Sequence, residues 1–151
     1  MGEIANHLEN IVLDSFETQT SPDGTPWEPI KVKTIHTSYK GSKTHTKKGV
    51  QTKAFQRYAG KRRMLRATGH MQSKLFAKSD NTTATVGFNA VSGNFQYPLT
   101  HQFGTNKAGR NKKVTIVARP FVPIKENGDL YNGVEKELMN IADEYVEMIL
   151  K

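Results

Sequence analysis

The residues of this sequence best suited to chemistry are its histidines, and their settings differ. His101 lies in YPLTHQFG, residues 97–104, between an aromatic-proline pair and a phenylalanine-glycine pair. One histidine and a basic surface are the minimum parts of a nuclease, so a general base at His101 is the one enzymatic reading on offer. The same stretch also suits a structural part. Tyr97 and Phe103 would pack, Gly104 would allow a turn that a side chain blocks, and His101 and Gln102 would hydrogen-bond loop backbone. A further reading has His101 help build a surface on which another protein sits.

The other candidates for chemistry are weaker. His36 and His45 lie among lysines with no carboxylate nearby in sequence, and neither shows a dense ligand spacing such as HxxxH. His7, beside Leu8 in a helical stretch, reads as a surface residue. The chain has no cysteine, which removes thiolate nucleophiles, thiolate metal sites and disulfides. Neither a GxSxG elbow nor a GxxxxGK phosphate loop occurs. The carboxylates gather in the terminal helices on faces read as solvent-facing, so no acid and base pair assembles. The expectation is a protein that is not an enzyme and that needs no metal and no cofactor.

Charge is the stronger signal. The formal net charge is +8 over 151 residues, with a sequence pI near 9.7. Between Glu28 and Asp80 there is no acidic residue, whereas the interval includes Lys43, Lys47, Lys48, Lys53, Arg57, Lys61, Arg62 and Arg63. Such a block creates a local positive potential. It either faces DNA, which any basic segment binds through counterion release, or forms a solvated, mobile loop. Within residues 31–63, Tyr39, Phe55 and Tyr58 are the only aromatics, which supports stacking on single strands poorly.

The elements that must position these residues follow from periodicity. Ile4, Leu8, Ile11, Val12 and Phe16 form one helical stripe, ended by SPDGTPW, where Pro22, Gly24 and Pro26 favour a tight turn and Trp27 reads as a packing plug. Residues 31–63 show few apolar side chains and no sustained period, which predicts a long basic loop inserted in one domain spanning residues 1–151. Leu65, Thr68, Met71 and Leu75 give a short helical period, with Thr68 placed to cap a turn at Gly69. Ala84, Val86 and Phe88 alternate as a half-buried strand, and residues 89–96 are turn-rich. NKAGRNKKV reads as a second basic loop, and VTIVARPFV as a strand closed by Pro120. Val134, Leu138, Ile141, Ala142, Tyr145 and Ile149 mark an amphipathic helix from about Asn132 to Leu150. The fold class is therefore α+β: a small antiparallel sheet packed against N- and C-terminal amphipathic helices. No run of apolar residues is long enough to span a membrane, and MGEIANHLENIVL lacks the basic and apolar blocks of an export leader.

In order along the chain stand Phe16, then PDGTPWEPI with Gly24 and Trp27, then MLRATGHMQSKL with Leu65, Thr68 and Gly69. TVGF with Gly87 follows, then YPLTHQFG with Tyr97, His101, Gln102 and Gly104, then VARPFV with Arg119, Pro120 and Phe121, then the terminal helix. This series resembles the Mu-like phage virion morphogenesis family, the tail completion proteins of contractile-tailed phages and prophages. It departs from the family pattern at Met71, where leucine is more usual, and at Pro98 after the tyrosine. The resemblance implies a non-enzymatic structural protein of the virion, assembled in the bacterial host cytoplasm. It further implies a homo-oligomer, a ring at the junction of tail and head, with tail tube and head-tail connector proteins as partners. The basic segment would then face either a neighbouring subunit or DNA passing through the lumen. Arg119 would pair with a carboxylate of the last helix, or lie at a subunit seam.

Overall fold

The computed structural model describes residues 1–41, 43–93 and 95–151. In chain order the elements are α1 (Gly2–Thr18), α2 (Val32–Ser38), α3 (Lys53–Gly60), a short 3-10 helix (Gln72–Lys74), β1 (Leu75–Ser79) and β2 (Ala84–Phe88). Then come α4 (Tyr97–Phe103), β3 (Thr105–Ala108), β4 (Val114–Ile116) and α5 (Val134–Leu150). The α+β expectation holds. The strands form two separate antiparallel ribbons, β1-β2 and β3-β4, rather than one small sheet. The second ribbon includes a strand, β3, in what reads in sequence as a basic loop.

Helix α1 buries the end of its stripe, with Val12 and Phe16 fully enclosed, and lies across the β1-β2 ribbon. It stops at Gln19, which takes a left-handed conformation with φ 62° while its N–H donates to Ser15 O. The Gln19 side chain fixes the exit as well: Nε2 donates to Phe16 O, and Oε1 accepts from Met64 N at 2.6 Å. The following turn closes through Ser21 N to Thr25 O, with Gly24 at φ 83°, and delivers Trp27 to the interior. There Val12, Phe16, Trp27, Met71, Ala90 and Phe121 form the core, flanked by Leu65, Leu75, Val86, Phe88 and Tyr97. Phe16 meets Trp27 edge to face at 6.1 Å and Phe121 at 5.2 Å. Each fully buried phenylalanine contributes about 2 to 3 kcal/mol of apolar transfer.

The β1-β2 turn is held by Asp80, whose carboxylate accepts from the Thr83 hydroxyl and from the Thr82 and Thr83 amides. Those donors hold its pKa down at about 2.

Three expectations need correction. The segment at 31–63 is not a structureless loop: α2 and α3 lie within it, with Phe55 only 1% exposed. His36, Tyr39 and His45 surround the Phe55 ring, His36 stacks on His45, and Tyr58 donates its hydroxyl to Ser38 O. Aromatics that look isolated in sequence thus form a second, small cluster. The helical period at 65–75 yields no α-helix, because Leu65 and Gly69 both take positive φ (58° and 70°) and the chain coils to turn Leu65 and Met71 inward. The C-terminal helix exists but does not pack on a sheet. Its main neighbour is α1, where His7 Nε2 meets Glu137 at 2.9 Å, and Val134 is its only buried residue.

Candidate interaction site

The short motifs converge on one joint. Gln102, on α4 and 4% exposed, spans the chain after β4 with both ends of its amide. Nε2 donates to Val122 O and Ile124 O, both at 2.9 Å, and Oε1 accepts from Phe121 N at 2.9 Å and Val122 N at 3.0 Å. A glutamine suits this place because it carries donors and acceptors on one planar group. The expectation that Gln102 binds backbone is met. Pro120 O in turn accepts from the Trp27 indole at 2.8 Å, tying the turn after α1 to the same segment.

Gly104 ends α4 with φ 72° and ψ 178°, a region open essentially to glycine alone. A Cβ there would stand 2.8 Å from Ala118 N and 2.9 Å from Ile116 O, so a side chain is blocked, as the sequence suggests. Gly87 has a similar cause, since a Cβ would press on the Phe76 ring at 2.9 Å. Thr68 Oγ1 accepts from His70 N at 3.3 Å, and His70 Nδ1 lies 2.6 Å from the Tyr97 hydroxyl.

Arg119 departs from expectation. Its guanidinium donates to the carbonyl of Glu28 from Nε at 3.1 Å and Nη2 at 2.8 Å, rather than to a carboxylate of α5. It therefore clamps the segment after Trp27. Its own N–H donates to His101 O at 2.7 Å. The His101 ring does not bond loop backbone through Nδ1, which is buried with no partner among the described residues. Burial, and then the nearby Arg119 charge, hold this imidazole below the ordinary histidine range.

These residues border a cleft of about 760 Å³. Leu65, Met71 and Ile116 supply apolar wall, Lys31, Arg62 and Arg119 supply positive charge, and no described lining residue is acidic. Arg62 lies over the Tyr58 ring at 5.2 Å, and its Nε is buried without a partner among the described residues. Arg63 and Arg66 both reach Glu17, at 2.9 and 2.7 Å, which anchors the basic segment to α1. Lys43, Lys47, Lys48, Lys53, Arg57 and Lys61 are exposed, with Lys47 and Lys48 at a turn closed by Thr46 N to Val50 O. Sequence reasoning missed Glu17 and Gln19. The first had a faint signal as a carboxylate before an acid-free block; the second had none.

Among the described residues, no group of three or more His, Asp or Glu side chains converges to hold a metal ion. No described helix is long and apolar enough to cross a membrane.

One curated relative is the Mu-like prophage FluMu G protein 2 of Haemophilus influenzae, 30% identical over 84 residues. The match covers 56% of this chain and 52% of the relative, so it spans about half the length of that protein. No solved structure matches the chain. The sequence profile of the phage virion morphogenesis family matches residues 1–147, and the chain belongs to that family of structural phage proteins.

Proposed function

We propose that this chain completes the phage tail as a ring of identical subunits at the head-tail junction and has no enzymatic activity of its own. The observation that carries the reading is the fate of the motif residues. Trp27, Gln102, Gly104, Arg119 and Phe121 are consumed in holding the fold, while α5 leaves an apolar face in solvent. Exposed apolar surface of that kind marks an interaction site. Tail tube and connector proteins are the partners the reading implies, with the virion as destination and the host cytoplasm as the place of assembly. The test is a phage from which this reading frame is deleted. Its induced lysates should hold unjoined heads and tails in electron micrographs, rescued by the chain supplied in trans. Complete virions without it would refute the reading.

A second reading is nonspecific DNA contact by the basic segment, supported by the exposed lysines at 43, 47, 48 and 53. Retardation of duplex DNA that falls steeply with salt would support it. In the ring, those lysines would then line the passage for DNA.

A further inference from the structure

Helix α5 and the cationic cleft are each incomplete in complementary ways. From Met139 onward the helix exposes Met139, Tyr145, Val146, Met148, Ile149 and Leu150, the last at 80%. Helical geometry places this apolar set over more than half of the circumference, with Asp143 on one border and Glu144 on the other. Between residues 143 and 150 there is no basic side chain to offset Asp143, Glu144 and Glu147. The cleft has the reverse character: an apolar lining at Leu65, Met71 and Ile116, positive rims at Lys31 and Arg62, and no described acidic lining residue. None of its lining residues comes from α5 of the same chain.

We propose that the C-terminal half of α5 docks in the cationic cleft of a second copy of this chain. The inference rests on the self-assembly reading above and identifies the surfaces that would carry it. Charge selects the occupant. Pairing two α5 helices with each other would bring acidic borders together, whereas the cleft offers Asp143 and Glu144 the cations they lack. Duplex DNA would satisfy those cations but has no use for the apolar lining between them, which an amphipathic helix fills. Because helix and cleft are different surfaces of one subunit, the contact is heterologous and repeats head to tail, closing into a ring when the rotation allows.

The test is light scattering on the full chain and three variants: D143K/E144K, K31E/R62E and the fourfold combination. Helicity and unfolding midpoint are followed by circular dichroism. Asp143 and Glu144 are exposed, so the first variant keeps its fold and decides the question even where substitution at Arg62 loosens the cleft. The wild type should be an oligomer of fixed mass, dissociating as salt rises. Each charge reversal should give monomer, and the fourfold combination should restore the oligomer. An oligomer that persists in D143K/E144K overturns this inference and leaves the ring to another surface. A wild type that stays monomeric at every concentration overturns the inference and self-assembly together. Wild-type DNA binding that K31E/R62E abolishes, with D143K/E144K still oligomeric, assigns the cleft to nucleic acid instead.

Discussion

Replacing Gln102 by alanine tests whether the α4 motif builds the fold. The substitution strands the Phe121 and Val122 amides and the Val122 and Ile124 carbonyls, four groups now served by one side chain. Phe121 is fully buried, so its amide has no route to water and loses about 1 to 3 kcal/mol. Val122 is partly accessible and Ile124 exposed, and water recovers part of their loss. Together with the cavity, the cost should be about 3 to 5 kcal/mol, at the upper end for a single substitution. For a chain of this size that lowers Tm by about 6 to 20 °C. Trp27 is the only tryptophan and bonds to Pro120 at this joint, so its fluorescence during urea unfolding reads the event directly. Gln102→Glu keeps the shape but faces Val122 O and Ile124 O with a carboxylate, and should be at least as damaging at neutral pH. Lowering the pH should recover part of that loss, since a protonated carboxyl regains one donor. A cost below about 1 kcal/mol for Gln102→Ala would refute the argument that this amide holds the joint.

Gly104→Ala should lower the urea midpoint by about 2 kcal/mol or more in stability, because positive φ and the contact with Ala118 N act together; an unchanged midpoint would contradict it. His101 gives a pH signature. Its folded pKa lies below the ordinary 6.5, so the unfolded chain binds the proton first, and stability is full above about pH 6.5 and declines as pH falls toward the folded value. His101→Asn should remove that component from a stability profile between pH 7 and 5, and a decline as steep as the wild type's would count against it. Lys47→Glu with Lys48→Glu should leave the unfolding midpoint unchanged and, if the turn meets DNA, reduce the log-log salt slope of binding by about 2; a wild-type slope would remove the turn from any DNA contact.

Much of the main body was legible because its signals are local. The α1 stripe, the turn at Gly24, the alternation of β2 and the α5 period each depend on neighbours within a few residues, and each appears close to its expected bounds. What was hidden depended on partners distant in sequence. The aromatics around Phe55 look scattered until α2 and α3 bring them together, so a cluster was mistaken for a loop. Leu65 carries a good helical period yet takes φ 58°, since burying it against the core outweighs helical propensity. At the site, Gly104 was readable as a glycine with a steric reason. The partners of Arg119 were not, because a guanidinium binds backbone carbonyls as readily as carboxylates and sequence does not record which lies within reach.

The separate cluster beneath α2 and α3 bears on how the chain opens. Phe55 belongs to a different apolar group from Phe16 and Phe121, and Glu17 with Arg63 and Gln19 with Met64 lie on the side of the main body. Native-state hydrogen exchange should therefore resolve two cooperative units, with the amides of α3 released at lower free energy than those of α1. The arm around Phe55 can thus loosen while the joint that Gln102 ties stays closed.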